Sequence, residues 1–427
     1  MTQKKSFLAK PLKWDSYSDQ PHVIKDRRFK KEIYKTVRWD SFKMVVTNIL
    51  MFPIVFIAYL ASPIKKTITK SDVFFGISIN LDKNPNDTRE LIDELDCNNL
   101  LIRVPLHDIE NLQAYVEFAD QFSDKKLLIN ILQDRRHVED LVMLEGSLDE
   151  IFTSFQHLTS RFQIGNAINR KKWAFFSMDE YLKFYQVAQH VKKRKFPNLT
   201  LLGSSIIDFE YYFTIRTLFN RYPIQFDQCS SLLYVDRRGA PENTQMGLNL
   251  IKKLHLLQSI LRLSSKTNNG IVITETNWPI SNTAPYAPTG EKECVSLEDH
   301  ANFLVRYYLL ALTSGVVQNI YWHQLIATGY GLIDNRNGKL IKYPAYYAFK
   351  NMLSLLQTAN FIGLDVKGDL HRASFIYESN KTIDVLWSVS TEVVVSSHGK
   401  KIIHRDGKAL KDQNDVTINQ SPTYLLS

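Results

Sequence analysis

Cysteine is scarce in this chain, and so are the patterns that would mark a metal or nucleotide site. Its three cysteines, Cys97, Cys229 and Cys294, form no CxxC pair among 427 residues. This excludes a disulfide framework and gives no indication of structural zinc. No glycine-rich phosphate loop follows the first predicted strand, which disfavours a nucleotide-binding open sheet. Because the histidines are also scattered, we expect neither a metal nor a cofactor.

Most of the chain also lacks net charge. The formal net charge is +9, yet residues 1–70 hold 15 Lys/Arg and 5 Asp/Glu, so the remaining 357 residues carry −1. A nucleic-acid-binding domain needs a basic face of its own. We therefore expect no nucleic-acid partner, and the sequence says nothing about oligomeric state.

Residues 44–64 contain no charged side chain. About 20 apolar residues suffice to cross a hydrocarbon core of roughly 30 Å. Twelve Lys/Arg precede this run in residues 1–43, and three follow it between residues 65 and 70. By the positive-inside rule, this distribution predicts a basic cytoplasmic tail (1–43) and a single transmembrane anchor in contact with membrane lipid (44–64). The rest of the chain would then be periplasmic or extracellular.

Two alternatives to this topology stay open. Residues 44–64 also suit a buried helix of a soluble protein. They suit equally a re-entrant or surface-lying helix whose following domain stays in the cytoplasm.

From residue 74 onward, short apolar runs alternate with longer amphipathic stretches. Eight such runs over about 250 residues predict an α/β fold, a (β/α)8 barrel spanning residues 71–365, with a doubly wound open sheet as the alternative. The predicted strands are 74–80, 100–105, 126–132, 161–165, 200–206, 226–235, 270–274 and 316–322. Ser296 and Asp299 predict the start of the last helix before the eighth strand. Short alternating runs after residue 365 predict a small β appendage over 366–427.

Polar and aromatic residues follow the predicted strands at the barrel end where active sites are built. Aromatic rings can stack on the CH faces of a sugar, and polar side chains can bind its hydroxyls. This combination favours a carbohydrate ligand. The candidate site residues, in chain order, are Arg103, Asp134, Asn166, Asp208, Glu210, Tyr234, Glu275, Trp278, Trp322 and His323.

The segment Ile-Thr-Glu275-Thr-Asn-Trp278-Pro279 closely resembles the seventh-strand motif of retaining glycoside hydrolases of the (β/α)8-barrel superfamily, of the clan A type. The resemblance spans roughly residues 74–355 and implies that Glu275 is the nucleophile. It also implies substrate-side roles for Arg103 after strand 2, Tyr234 after strand 6 and Trp322 at strand 8.

One position departs from that family pattern. The fourth strand of these enzymes ends in Gly-Asn-Glu, whose Glu is the general acid/base, whereas this chain has Gly165-Asn166-Ala167. Retaining hydrolysis needs two carboxyl groups about 5–5.5 Å apart. Asp208 or Glu210 after strand 5, or Asp134 after strand 3, could replace the missing carboxylate.

The sequence therefore leaves two functions open. The first is a membrane-anchored glycoside hydrolase that acts on a glycan or polysaccharide with Glu275 as nucleophile. The second is an inactive pseudo-glycosidase that binds glycan during the biosynthesis or export of a cell-envelope polysaccharide.

Overall fold

Eight parallel strands close into a barrel at the centre of the molecule. The structure is a computed structural model and describes residues 12–62, 69–70, 73–378, 381–411 and 414–427. The strands, β1–β8 in chain order, pair sequentially, and β8 pairs with β1 to close the barrel. They are Phe75–Ile79, Asn99–Pro105, Lys126–Leu132, Arg161–Ile164, Thr200–Ile207, Gln228–Leu232, Ile271–Thr276 and Val317–Trp322. The predicted (β/α)8 barrel is thereby confirmed.

The strands read as apolar runs because a parallel barrel strand is covered on both faces. Inside the barrel, one cluster of side chains comes from alternate positions on five strands, so the interior is a packed core. Its members are Leu101, Leu128, Leu202, Val272 and Tyr321.

Ten helices occur in the described part of the chain, and most of them cover the outside of the barrel. They are α1 Arg27–Ala61, α2 Pro85–Leu95, α3 Leu112–Asp120, α4 Arg135–Glu139, α5 Leu141–Phe155, α6 Met178–Lys195, α7 Tyr211–Leu218, α8 Leu250–Arg262, α9 Leu297–Thr313 and α10 Pro344–Leu356. The predicted start of α9 is confirmed, since Ser296 Oγ accepts from Asp299 N at 3.0 Å.

The chain ends in antiparallel β structure, as predicted. A six-stranded sheet has the spatial order Lys401–His404, Thr423–Leu426, Lys381–Ser388, Leu370–Tyr377, Asn360–Lys367 and Thr69–Lys70. Val393–Ser396 pairs with Asp415–Ile418, and Ile333–Asp334 with Ile341–Lys342. The sheet includes residues 360–365, which we had assigned to the barrel. That strand is mostly exposed, so it lacks a clear alternation of apolar and polar residues.

Helix α1 lies along the outside of the barrel, against α7 and α8. It is the one described helix that is long and apolar enough to span a membrane. Residues 63 and 64 of the predicted anchor, and residues 1–11 of the predicted tail, lie outside the described residues. Large apolar side chains cover much of its unpacked surface: Val45, Val46, Ile49, Leu50, Phe52, Ile54, Phe56, Ile57 and Leu60 are exposed.

The first half of α1 is attached to the barrel by buried polar contacts. Asp40 Oδ1 accepts from Arg216 Nη2 of α7 at 2.9 Å, and Asp40 Oδ2 accepts from Met178 N at the start of α6 at 2.8 Å. Lys43 Nζ donates to Asp179 Oδ2 at 2.8 Å. These contacts hold the N-terminal part of α1 against the barrel.

Ahead of α1, residues 14–21 form a β-hairpin in which Trp14–Asp15 pairs with Gln20–Pro21. This N-terminal hairpin reaches the barrel itself. Gln20 Nε2 donates to Pro288 O at 3.2 Å, and the Trp14 ring packs edge-on against Trp173, with 5.7 Å between ring centroids.

The contacts of residues 12–43 with the barrel can be compared with the predicted transmembrane anchor. A span through residues 44–61 would place residues 12–43 on the side of the membrane opposite the barrel. The hairpin contacts and the Asp40–Arg216 pair would then be broken. In the structure these contacts are present.

We predict that Asp40→Ala loosens α1 from the barrel. The substitution leaves the buried Arg216 with fewer partners and removes a cap from α6, so we expect unfolding to become easier by about 3 kcal/mol. Urea denaturation of the full chain in a mild detergent measures this. Lys35→Ala on the exposed side of α1 is the control, and equal stability of the two variants would contradict the prediction.

Candidate functional site

Four of the candidate residues meet at one carboxylate at the mouth of the barrel. Glu275, near the end of β7, accepts from Arg103 Nη2 of β2 at 2.6 Å through Oε2, and from the Tyr234 hydroxyl after β6 at 2.5 Å through Oε1. Asn166 Nδ2, after β4, lies 3.3 Å from Glu275 Oε2. The ends of four strands thus converge on Glu275, and both of its oxygens are bound.

Burial strengthens these interactions. Burial alone would lower the pKa of Arg103, but attraction to Glu275 and Asp19 outweighs it and the pKa is raised. Burial, with repulsion from Glu275, raises the pKa of the Tyr234 hydroxyl well above its usual value. Arg103 is therefore a fixed cation and Tyr234 a fixed hydrogen-bond donor beside the carboxylate.

The turn after β4 sets the position of Asn166. Gly165 has φ +82°, and a Cβ there would come within 3.3 Å of Ile168, so glycine suits this turn sterically. Gln133 Oε1 accepts from Asn166 N at 2.8 Å, and Gln133 Nε2 donates to Asn166 O at 2.8 Å. Sequence reasoning did not identify Gln133, which stands directly before Asp134.

Ala167 lies in an apolar environment. It is buried, with φ +44°, and belongs to a cluster with Leu132, Trp173, Leu232 and Tyr234. Trp14 of the N-terminal hairpin packs against this cluster. The residue that follows Gly165-Asn166 thus packs among apolar side chains.

The three carboxylates expected to replace that acid are all paired elsewhere. Arg170 donates to Asp208 Oδ2 at 2.6 Å and to Glu210 Oε2 at 2.8 Å. Asp134 caps α4 by accepting from His137 N at 2.9 Å. Burial would raise the pKa of Asp134, but its hydrogen bonds to His137 outweigh this and lower it.

The two candidate tryptophans pack against helix α9. Trp278 and Trp322 are fully buried and stack on each other with 5.8 Å between centroids, and Trp278 Nε1 donates to Gly239 O at 3.0 Å. In this structure they offer no exposed face to a sugar. His323 faces the cavity and stacks on Tyr330, and burial holds its pKa well below the usual value.

Sequence reasoning missed a second carboxylate at the site. Asp19, in the turn of the N-terminal hairpin, accepts through Oδ2 from Arg103 Nη1 at 3.2 Å and from Asn80 Nδ2 at 2.9 Å. Burial raises its pKa, against the attraction of Arg103. Asp19 and Glu275 therefore share one guanidinium group.

A cavity of about 180 Å³ remains between the hairpin and Glu275. Its wall includes Arg103, Lys172, Tyr234 and Arg238. Ligand pockets usually measure about 300–1,000 Å³, so the docked hairpin leaves less room than a typical ligand needs.

Solved structures of glycoside hydrolases share this fold. A family 39 glycoside hydrolase from Bacteroides cellulosilyticus WH2 superposes with a TM-score of 0.62 at 14% identity, over 84% of this chain and 82% of the other. A GH30 endoxylanase from Clostridium papyrosolvens C71 gives 0.56 at 12% identity, over 85% and 98%. A GH39 β-xylosidase from Caulobacter crescentus gives 0.56 at 12%, over 84% and 98%.

The barrel has the fold of the glycoside hydrolases that the sequence motif resembles. At these identities the likeness shows the fold alone. No protein-family model and no curated protein matches the chain by sequence.

We predict that acid weakens the fold through His300 of α9, whose ring packs edge-on against Trp322. Burial lowers the pKa of His300 to about 4. The unfolded chain binds this proton near pH 6.5 and the folded chain only near pH 4, so stability is lost as the pH falls through this window. The loss reaches roughly 3 kcal/mol at 1.36 kcal/mol per pKa unit.

Urea denaturation at pH 7 and at pH 4.5 tests this. His300→Gln should flatten the pH dependence, whereas His157→Gln at the surface should leave it as in the wild type. An unchanged slope in His300→Gln would show that His300 contributes nothing to it.

Proposed function

We propose that the barrel mouth is a glycan-binding site centred on Glu275, and that the protein binds its glycan without cleaving it by the usual acid-assisted route. The observation that supports binding is the set of Arg103, Asn166 and Tyr234 around Glu275. These groups present fixed donors and a fixed charge in a concave, largely buried site. A carbohydrate is the ligand class that the glycoside hydrolase fold favours.

The environment of Ala167 argues against ordinary hydrolysis. A positioned general acid is worth about 10²–10⁴-fold in rate. Ala167 has no carboxyl group of its own and packs among apolar side chains, and Asp208, Glu210 and Asp134 are bound to other partners. We therefore favour the pseudo-glycosidase, which binds a glycan during the biosynthesis or export of a cell-envelope polysaccharide.

One observation favours a second candidate, a hydrolase of activated glycosides. Glu275 keeps hydrogen bonds on both oxygens, the arrangement that the family resemblance implies for a nucleophile. A substrate with a good leaving group needs little protonation, so Glu275 alone could displace it and form a covalent glycosyl-enzyme.

We further propose that α1 associates with a membrane through its exposed apolar side chains while the tail stays docked on the barrel. In this arrangement the apolar second half of α1 lies in the membrane interface beside the barrel. The alternative is a single-pass anchor with a cytoplasmic N-terminus and a periplasmic or extracellular barrel. That arrangement requires the hairpin to leave the barrel.

Aryl glycosides separate the binder from the hydrolase. We expect the wild type to bind glycans but to release no aryl group that must be protonated in order to leave. Ala167→Glu should gain this release because it supplies a second carboxyl across from Glu275. Release and covalent labelling are measured by absorbance and mass spectrometry, with Glu275→Gln in the Ala167→Glu background as the control.

Other results decide against the proposal. Slow release by the wild type that Glu275→Gln abolishes would favour the hydrolase. If neither the wild type nor Ala167→Glu nor Glu275→Gln binds any of the glycans tested, the proposal of glycan binding is wrong.

Side-specific labelling tests the membrane arrangement. In a Cys294→Ser background, Ser16→Cys reports on the hairpin and His398→Cys on the C-terminal sheet; both positions are exposed. An impermeant maleimide added to intact spheroplasts should label neither, and both should react after lysis. Labelling of position 398 alone in intact spheroplasts would establish the single-pass topology.

Substitution of the apolar face provides the matching binding test. Ile49→Asp with Ile57→Asp should move the protein from the membrane fraction to the supernatant. Val142→Asp, at an exposed apolar position outside α1, should not.

A further inference from the structure

The cavity beside Glu275 is lined by more cations than its own carboxylates neutralise. Arg103, Arg170, Lys172 and Arg238 line it. Arg170 is satisfied by Asp208 and Glu210 at the rim.

Lys172 and Arg238 form no ion pair with a carboxylate among the described residues. No ion pair within 4.0 Å joins either side chain to a described carboxylate, and Lys172 Nζ donates instead to the neutral amide oxygen of Gln20. The Arg238 guanidinium lies over the Tyr234 ring, 3.5 Å from its centroid, and its buried Nη1 has no hydrogen-bond partner in the described part of the chain.

The N-terminal hairpin contributes a second carboxylate to the lining of this cavity. Asp19 binds Arg103 Nη1 and Asn80 Nδ2 inside the barrel mouth. If the hairpin left, Arg103 Nη1 would lose its carboxylate, and three cations would face Glu275 alone. A buried cation without a partner is costly, so the open site would favour a new anion.

The hairpin also divides what would otherwise be one cleft. Besides the cavity of 180 Å³ at Glu275, one of about 190 Å³ lies next to Asp19 and Asn80, and one of about 370 Å³ lies next to Trp14 and Trp173. Residues of the hairpin line all three. Its departure would join them into a cleft long enough for more than one sugar ring.

From this arrangement we propose that the site takes an anionic glycan, one bearing carboxylate, sulfate or phosphate groups. Its charged group binds Arg103 where Asp19 now sits, and Lys172 and Arg238 bind the same group or the next. The hairpin is an internal occupant that such a ligand displaces. This inference rests on the proposed glycan-binding function and specifies its ligand.

The test uses the full chain in detergent and pairs of probes that differ only in charge. Oligogalacturonate is compared with its methyl ester by calorimetry, and glucose oligomers are compared with their sulfated and phosphorylated forms. We expect the charged member of a pair to bind at least about tenfold more tightly, with the difference shrinking in high salt. The pair with the largest difference identifies the kind of anionic group.

Substitutions in the cavity test which side chains bind the anionic group. Lys172→Gln and Arg238→Gln should each reduce the ratio of the affinity for the charged probe to that for the neutral probe by about tenfold. Lys171→Gln should keep it, because Lys171 faces the Tyr34 ring outside the cavity. Asp19→Ala should raise the affinity for the charged probe, and Asp19→Asn should do so with less change to the hairpin; thermal unfolding checks that each variant is folded.

The outcomes separate this inference from the function on which it rests. Equal or tighter binding of the neutral probes, or a preference for charge that survives both Lys172→Gln and Arg238→Gln, would overturn the anionic ligand and leave glycan binding standing. Failure of the wild type and of Asp19→Ala to bind any probe, charged or neutral, would overturn both.

Discussion

The buried guanidinium of Arg103 is the interaction on which the barrel mouth depends. Its two terminal nitrogens bind two carboxylates, Glu275 from β7 and Asp19 from the N-terminal hairpin. A cation enclosed in a barrel is tolerated only when it is paired, and removal of one partner from such a group typically costs about 3–5 kcal/mol. Arg103 thus couples the part of the site that resembles a glycosidase to a segment that comes from outside the barrel.

That coupling extends along the chain to α1. The hairpin is tied to Arg103, and the first half of α1 is tied to α6 and α7 through Asp40. The residues between 14 and 43 are therefore docked on the barrel. The exposed large apolar side chains of α1 follow these contacts along the helix, between residues 45 and 60. One N-terminal segment thus contacts both the barrel mouth and the outside of the barrel.

The sequence was sufficient for the barrel because strand patterns are local and the carboxyl ends of parallel strands meet at one rim. That rule brought Arg103, Asn166, Tyr234 and Glu275 together correctly. It could not find Asp19, which is 84 residues from Arg103 and belongs to no strand of the barrel. It also could not tell a ring that faces a ligand from a ring that packs against a surrounding helix. For this reason Trp278 and Trp322, which pack against α9, were expected to contact the ligand. Asp208 and Glu210 were expected near residue 167 because strand 5 adjoins strand 4. The order of the strands could not show that both carboxylates form ion pairs with Arg170.

Ala167 and the hairpin are two parts of one arrangement. The Ala167 methyl belongs to the apolar cluster against which Trp14 packs, so the side chain that removes the expected acid also provides part of the hairpin's docking surface. A carboxylate at this position would sit among Leu132, Leu232 and two tryptophan rings, where an unpaired charge is strongly disfavoured. While the hairpin is docked, an ionised acid/base at residue 167 is thus disfavoured, and the carboxylate of Ala167→Glu can act only in molecules whose hairpin has left the barrel mouth. A chain that keeps the hairpin in the barrel mouth has a reason, independent of catalysis, to carry a small apolar residue there.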